Sequence, residues 1–337
     1  MSEEILISFI VTVYNGEKTI SACLNSILQQ SQTIPFEIIV INDGSEDLTF
    51  KIIENYKNQH SDKIKIIHQN NKGPGKSRNE GIHLSSGEYL AFIDGDDSIC
   101  ADYTDHVNQV INTHRPDMLI IGYNRIYERK KNFFERNFKF NKWNDKETQI
   151  IPENNPSFIC KTEAACWLKI INRRIFIEAN DLYFSEIRIG EDLEASLKWY
   201  LYTKKVIVSN AKLYNYYIRS GSLNGDTKYL LEFTRIMQSV CELYKSQKQF
   251  DHYQKELEYI FTMHILISNL LRLRVTDRKD KFKVFMLLRS TLIQYFPKYT
   301  VNKYLKSEPF YVRIAVYFSF NFPEIYRLIL YIRFKKK

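Results

Sequence analysis

The sequence contains no long hydrophobic run and no recognisable targeting segment. A membrane-spanning helix needs about 18 or more mostly apolar residues in succession, and no segment approaches that length. The acidic first residues lead directly into an apolar run that is typical of a β-strand. We therefore expect neither an ordinary transmembrane helix nor a signal peptide.

Cysteine and concentrated positive charge are also scarce. The five cysteines are odd in number, and none has the Cys-x-x-Cys or Cys/His spacing of a zinc site. We therefore predict reduced thiols in a cytosolic compartment. The net charge of +9 is moderate, and the basic residues are spread along the chain except for a cluster at its end. Because nucleic-acid binders concentrate their charge on one element, we expect no nucleic-acid partner.

Strands and helices alternate along the first hundred residues. The predicted strands are apolar runs at residues 5–13, 36–41, 64–67 and 89–93. Helical spacing of apolar residues predicts helices at 17–30 and 46–59, the second of them capped by Ser45. Such alternation produces parallel βαβ units around a buried sheet. We therefore predict an α/β fold with a mostly parallel sheet flanked by helices.

Polar residues follow three of these strands. They are Tyr14 and Asn15, then Asp43, Gly44 and Ser45, and finally Asp94, Gly95 and Asp96. The carboxyl ends of parallel strands share one edge of a sheet, where open α/β sheets bind ligands. With only a glycine between them, Asp94 and Asp96 suit Mg²⁺ or Mn²⁺ shared with substrate phosphates. An ordinary Asp/Gly turn after a strand has the same composition.

A Gly/Pro loop at residues 72–78 adds further polar groups at this edge. Its glycines expose backbone N–H groups just before a helix, and Lys72, Lys76 and Arg78 supply positive charge. This arrangement suits phosphate oxygens. The loop does not fit the P-loop pattern, and no Gly-x-Gly-x-x-Gly follows the first strand. We therefore predict neither a P-loop nor a dinucleotide site.

The second half of the chain contains an acidic pair and then helices alone. Glu191 and Asp192 open a predicted helix, where acidic residues complement the helix dipole. From about residue 227 the pattern is helical, so we place a domain boundary near residue 225. Residues 308–337 combine aromatic and aliphatic side chains with a basic end, which predicts contact with an anionic membrane face. A helix packed on its own domain, with a solvated basic tail, is the alternative.

Five short motifs resemble those of the inverting glycosyltransferases of family 2. They are SFIVTVYN (8–15), INDGS (41–45), NKGPGKSRN (71–79), GEYLAFIDGDD (87–97) and GED (190–192). The resemblance covers roughly residues 5–225 and implies the GT-A fold, a Rossmann-like α/β fold. Within it, residues 1–100 would form the nucleotide-sugar half and residues 101–225 the acceptor half. Residues 226–337 would be a helical extension.

The resemblance implies the catalytic and metal-binding roles. Asp192 would be the general base, and Glu191 beside it would orient the acceptor. Asp96 would bind a divalent metal, Mn²⁺ or Mg²⁺, that bridges the donor diphosphate. Asp94 would contact the ribose or the metal, with Gly95 between the two carboxylates.

The resemblance also implies how the donor is held. Asp43 would bind the base or the ribose of the nucleotide. The same pocket would be lined by Thr12, Tyr14 and Glu17. Arg78 would hold the Gly/Pro loop against the nucleotide, and Arg219 and Ser222 would close over the diphosphate.

These roles predict an inverting, metal-dependent transferase at the cytoplasmic face of the membrane. It would move a sugar from a nucleotide-sugar, a UDP-sugar in the first instance, to a glycan or lipid-linked acceptor. The product would be a bacterial surface polysaccharide such as capsule, O-antigen or lipooligosaccharide. A transferase that decorates a teichoic-acid-type or protein-linked glycan is the close alternative.

Two other classes fit the sequence less well. A nucleotidyltransferase would carry a Gly-rich Lys/Arg loop directly after the first strand, and residues 14–17 lack it. A degenerate glycan-binding protein would have no need of three intact carboxylates, Asp94, Asp96 and Asp192.

Overall fold

The computed structural model describes residues 5–31, 34–127, 147–179, 182–187, 189–219, 231–268 and 278–323. The chain divides into two compact units, Met1–Ser220 and Gly221–Lys337. The first contains a nine-stranded sheet with helices, and helices alone are described in the second. The predicted α/β fold with a helical C-terminal region is therefore confirmed.

The first unit alternates strands and helices up to β4. Its strands are β1 (Ile7–Val13), β2 (Phe36–Asn42), β3 (Ile64–His68), β4 (Tyr89–Asp94), β5 (Ser98–Ile99), β6 (Met118–Tyr127), β7 (Thr148–Ile150), β8 (Lys169–Asn172) and β9 (Val206–Ile218). Its helices are α1 (Ile20–Leu28), α2 (Thr49–Gln59), α3 (Pro74–Leu84), α4 (Tyr103–His114), α5 (Arg174–Glu178) and α6 (Glu191–Tyr202).

The sheet is mixed rather than mostly parallel. Its order is β3-β2-β1-β4-β8-β6-β9-β5, with β7 beside β9. The pairs β1–β2, β1–β4, β2–β3 and β6–β9 are parallel, and the other four described pairs are antiparallel. Parallel pairing requires a crossover between the two strands, and β1 to β4 are joined by helical crossovers, as are β6 and β9 through the segment that contains α5 and α6. The short β8 enters in the opposite direction between β4 and β6.

The strands at the centre of the sheet are covered on both faces. All seven residues of β1 and all seven of β2 are buried, because continuous apolar runs leave neither face suited to water. Thr12 pairs with Asp94 on β4, and Val13 pairs with Asn42 on β2. The carboxyl ends of these three strands therefore lie level with one another.

Helix α2 begins at Thr49, and the prediction that Ser45 caps it was wrong. The Ser45 hydroxyl instead accepts the Asn15 backbone N–H at 2.9 Å. Asp47 accepts the N–H groups of Thr49 at 3.0 Å and Glu17 at 3.1 Å. Residues 45–49 are thus held against the turn after β1, a long-range interaction that the helical spacing does not reveal.

The second unit consists of helices and short turns. It contains α7 (Glu232–Ser246), α8 (Phe250–Thr262) with a π-helical continuation (Met263–Ser268), α9 (Arg278–Tyr295), 3-10 turns at Tyr299–Val301 and Lys303–Ser307, and α10 (Phe310–Asn321). Glu258 is buried and accepts the Asn302 side-chain amide at 2.7 Å, which fixes the turns against α8. No helix in the described part of the chain is long and apolar enough to cross a bilayer. Of the predicted membrane-contacting segment, residues 324–337 lie outside the described residues.

Candidate active site

The end of β1 and the turn after it carry three predicted donor-binding residues. Thr12 is buried in the strand, whereas the Tyr14 side chain is 50% exposed at its end. Glu17 accepts the Leu48 N–H at 3.2 Å, so its carboxylate is tied to the segment before α2. The structure therefore places all three at the carboxyl edge of the sheet, and their contacts with a donor stay predictions.

Asp43, at the end of β2, organises the Gly/Pro loop. One carboxylate oxygen accepts the Gln69 side-chain amide at 2.8 Å and the Lys72 N–H at 2.9 Å. The other accepts the Gly73 N–H at 2.9 Å. The carboxylate is buried and fully engaged, so ordering of the loop is its visible role. Binding of the nucleotide base or ribose by Asp43 stays a prediction.

The segment after β4 presents one carboxylate outward and one inward. Asp96 has a side chain that is 57% exposed, and its Oδ2 lies 3.3 Å from Arg219 Nη1. Asp94 is half-buried, and its Oδ1 accepts a hydrogen bond. Its Oδ2 accepts none from the described residues. A Cβ on Gly95 would stand 2.7 Å from the Val13 Cβ, so only glycine allows this close approach of the two strand ends. Ser222 lies outside the described residues.

Arg78 on α3 joins the two acidic motifs. Its Nη2 donates to Asp94 Oδ1 at 2.9 Å. Its Nη1 donates to Glu191 Oε1 at 3.1 Å and to Asp192 Oδ1 at 3.0 Å. The guanidinium is almost fully buried, where charge-assisted hydrogen bonds are strong. A strand end and a helix start separated by nearly a hundred residues are thereby held within the span of one side chain.

Glu191 and Asp192 occupy the first turn of α6. Gly190 precedes them with φ +90°, a conformation that favours glycine. Asp192 Oδ2 accepts the Cys166 backbone N–H at 3.3 Å, in addition to the bond from Arg78. Burial, and then the charge of Asp192, raise the pKa of Glu191, although Arg78 opposes the shift. The pair therefore complements the helix dipole and also faces the Asp94 cluster.

Asp97, which had no predicted role, is the most deeply buried carboxylate of its motif. It accepts the Tyr214 hydroxyl at 2.9 Å and the Tyr217 N–H at 2.9 Å. Burial, and then the charges of Asp94 and Asp96, raise the pKa of Asp97 to about 8. Burial likewise raises the pKa of Asp94, against the opposing effect of Arg78. The charges of Asp94 and Asp96 therefore disfavour the charged form of Asp97, and a cation nearby would offset this repulsion.

The donor set suits a divalent metal shared with a substrate. Asp96 is exposed, and the second oxygen of Asp94 receives no hydrogen bond from the described residues. No group of three or more His, Cys, Asp or Glu side chains in the described ranges forms a closed metal cage. One or two carboxylates completed by phosphates and water are a normal arrangement for Mg²⁺. The residues therefore fit a metal that arrives with, or is completed by, a diphosphate.

Several residues that organise the site were not predicted from the sequence. They are Asp47, Gln69, Cys166 and Lys169. Each contacts a residue that is distant in the sequence or on another element, and no local pattern marks such a contact. Arg78 was predicted, but its bonds to Glu191 and Asp192 were not.

Comparisons with known proteins agree with this geometry. The family model described as "Glycosyl transferase family 2" matches residues 8–174. Glycosyltransferase GlyG of Streptococcus pneumoniae is 30% identical over 234 residues, which cover 66% of this chain and 73% of GlyG. Poly(ribitol-phosphate) beta-N-acetylglucosaminyltransferase TarS of Staphylococcus aureus is 28% identical over 269 residues, which cover 77% of this chain and 44% of TarS.

A solved structure shows the same fold. The crystal structure of S. aureus TarS 1–349 in complex with UDP has a TM-score of 0.72 at 23% sequence identity, covering 99% of this chain and 92% of that one. The match to GlyG extends over most of both sequences, whereas the match to full-length TarS covers less than half of TarS. The chain is a glycosyltransferase and belongs to glycosyl transferase family 2.

Proposed function

We propose that this glycosyltransferase is inverting and metal-dependent, with Asp192 as its general base. The observation that carries the proposal is the buried Arg78 guanidinium, which holds Asp94 and the pair Glu191/Asp192 around one point. In this proposal Asp94, at the end of β4, faces the donor. The pair Glu191/Asp192 lies at the start of α6, where an acceptor hydroxyl can approach from the opposite side.

The chemistry requires a single displacement. The acceptor oxygen forms a bond to the anomeric carbon of the sugar while the bond from that carbon to the diphosphate oxygen breaks. The acceptor proton passes to the Asp192 carboxylate, and the nucleoside diphosphate leaves with the electron pair. Positioned proton transfer of this kind contributes about 10²–10⁴-fold to a rate. One displacement at one centre inverts its configuration, so no covalent enzyme intermediate is needed.

Asp96 and Asp94 would hold the divalent cation, Mn²⁺ or Mg²⁺. When bound, the cation supplies Lewis-acid stabilisation of the departing diphosphate. Arg219, now 3.3 Å from Asp96, lies at the exposed rim of the same cluster and carries positive charge toward that diphosphate. Glu191, protonated more readily than an ordinary carboxyl because of its burial, would hydrogen-bond the acceptor beside the base.

The donor and acceptor classes are proposed from the relatives. TarS has been crystallised with UDP and with UDP-GlcNAc, which supports a UDP-sugar as the donor of this chain. We place the acceptor in a bacterial surface polysaccharide, as a glycan or lipid-linked chain. A poly(ribitol-phosphate) or similar teichoic-acid-type acceptor is the second candidate. TarS acts on such a polymer, and its match covers 77% of this chain.

A donor screen followed by product stereochemistry tests the proposal. Binding of UDP-sugars and other nucleotide sugars would be measured by calorimetry with Mn²⁺, with Mg²⁺ and with EDTA. The configuration of the first product formed from an α-linked donor would then be read by NMR. We expect metal-dependent binding of a UDP-sugar and a β-configured product. An α-configured first product would refute the inverting mechanism, and binding that EDTA leaves unchanged would refute the metal.

We also propose that the second unit contacts the cytoplasmic face of the membrane. Helix α10 exposes large apolar side chains, and basic residues follow it in the sequence. The exposed apolar side chains are Phe310, Tyr311, Tyr317 and Phe322. Aromatic residues with adjacent positive charge suit an anionic lipid surface.

Vesicle co-sedimentation tests this second proposal. The double substitution of Phe310→Ser and Tyr311→Ser should release the protein from vesicles that contain phosphatidylglycerol. Val301→Ser, at another exposed apolar position of the same unit, is the matched control. Equal sedimentation of the double variant and the control would refute membrane contact through α10.

A further inference from the structure

A fully buried lysine lies beside the proposed base without a carboxylate partner. Lys169 begins β8, and its side-chain Nζ donates to the backbone carbonyls of Glu163 and Ala165, each at 2.8 Å. Within the described ranges, no carboxylate oxygen lies within 4.0 Å of this nitrogen, the limit that defines the ion pairs. Burial of an ammonium without a carboxylate costs free energy unless hydrogen bonds compensate for the lost water. The two carbonyl bonds therefore tie Lys169 firmly to residues 163–165.

The segment that Lys169 holds is the one that contacts Asp192. Between the two anchored carbonyls, the carbonyl of Ala164 accepts the Ser196 hydroxyl at 2.5 Å. The next residue, Cys166, donates its backbone N–H to Asp192 Oδ2 at 3.3 Å. The buried ammonium thus fixes residues 163–165, and these lead directly into the only backbone donor described for the proposed base.

We propose that Lys169 is a positioning residue for sugar transfer, which holds residues 163–166 so that the Cys166 backbone N–H orients Asp192. This inference rests on the proposed role of Asp192 as the base. Arg78 orients one oxygen of Asp192, and the segment anchored by Lys169 orients the other. Arg78 lies on α3 and Lys169 on β8, so the two oxygens of Asp192 are positioned from different elements.

Charged and titratable groups from several elements surround Asp192. The groups that face it are Arg78 from α3, Glu191 from its own helix, Asp94 from β4, the Cys166 thiol before β8, and Lys169. Arg78 bonds to three carboxylates. Lys169 is the other cation of this group, and no carboxylate in the described ranges binds it directly. Burial lowers the pKa of Lys169 to about 8, against the nearby negative groups, so the ammonium stays largely charged at neutral pH.

The test compares Lys169→Met and Lys169→Arg with a matched lysine. Lys198 is on α6 together with Asp192, its side chain is 11% exposed, and its ammonium pairs with Glu194 at 2.8 Å. Lys198→Met therefore removes a second buried cation from the same region without touching the 163–166 segment. For each variant, transfer would be measured between pH 5 and pH 9 as kcat and donor KM, together with the melting temperature.

We expect Lys169→Met to lower kcat by about tenfold to a hundredfold, because small displacements of a catalytic group have effects of that size. Donor KM should stay within about twofold, since donor contacts are unchanged. Lys169→Arg should recover part of the lost kcat, and Lys198→Met should lower the melting temperature while kcat stays within about twofold of the wild type.

A Lys169→Met variant whose kcat and donor KM match those of Lys198→Met would overturn the inference. If Lys169→Met does not fold, Lys169→Gln keeps a hydrogen-bond donor without the charge and is judged by the same two readouts. Asp192→Asn separates the two levels of the argument. Full activity in Asp192→Asn would remove the base and the inference together, whereas an inactive Asp192→Asn with a normal Lys169→Met would remove the inference alone.

Discussion

Replacement of Arg78 by methionine should destabilise the first unit strongly at neutral pH. The substitution preserves apolar volume but leaves Asp94, Glu191 and Asp192 facing one another without their shared cation. Removal of one partner from a buried ion pair costs about 3–5 kcal/mol, because the remaining charge stays buried. We expect a loss in that range rather than the sum of three bonds, since three carboxylates share one guanidinium. The loss should shrink at low pH, where the carboxylates take up protons.

Urea denaturation followed by tryptophan fluorescence measures this loss. All three tryptophans of the chain belong to the first unit, so the signal reports that unit alone. The matched control is Arg115→Met, which breaks an ion pair with Glu88 at 3.6 Å whose side chains are 65% and 43% exposed. An exposed pair of this kind contributes about 0–1 kcal/mol. The bridging account is wrong if Arg78→Met loses no more stability than Arg115→Met at pH 7.5. It is also wrong if the loss caused by Arg78→Met is as large at pH 5 as at pH 7.5.

Three further substitutions test other parts of the site. Asp96→Asn should weaken Mn²⁺-dependent binding of UDP by about tenfold or more, with binding in EDTA unchanged in calorimetry; equal loss in both would deny Asp96 a metal role. Gly95→Ala should lower the unfolding free energy by about 1–3 kcal/mol, because its Cβ would meet Val13 at 2.7 Å. Wild-type stability should fall as pH rises toward 8, because the raised pKa of Asp97 makes its folded form hold a proton that the unfolded form releases. Asp97→Asn should flatten the slope of melting temperature against pH. An unchanged slope would mean that a group other than Asp97 causes the pH dependence.

The strand ends were predictable because their chemistry is local. Apolar runs that stop at Asn15, Asp43 and Asp94 identify strands, and parallel strands have their carboxyl ends at one edge. The register of Thr12 against Asp94 places these ends level, as the pattern implied. Pattern alone does not fix pairing beyond β4, since β8 is only four residues long and enters antiparallel. That is why the sheet is mixed and not mostly parallel.

The contacts that assemble the site were beyond reach of the sequence. Arg78 and Glu191 are 113 positions apart, and their bond depends on how α6 is placed after β8. The hydrogen bonds of the buried Asp43 carboxylate also depend on tertiary packing. Its partners are 26 to 30 positions away, in the Gly/Pro loop and just before it. The sequence marks such residues as polar and clustered, while the identity of each partner follows only from tertiary packing.

Transfer by Asp192→Asn tests the central claim most directly. The amide keeps the shape of the side chain and one oxygen for the Cys166 N–H, but it cannot accept the acceptor's proton. With the donor found by the nucleotide-sugar screen, we expect UDP-sugar affinity within about twofold of the wild type. The transfer rate should fall by about 10²–10⁴-fold, the contribution of a general base. A variant that binds the donor normally and transfers its sugar at close to the wild-type rate would contradict the assignment of Asp192 as the base.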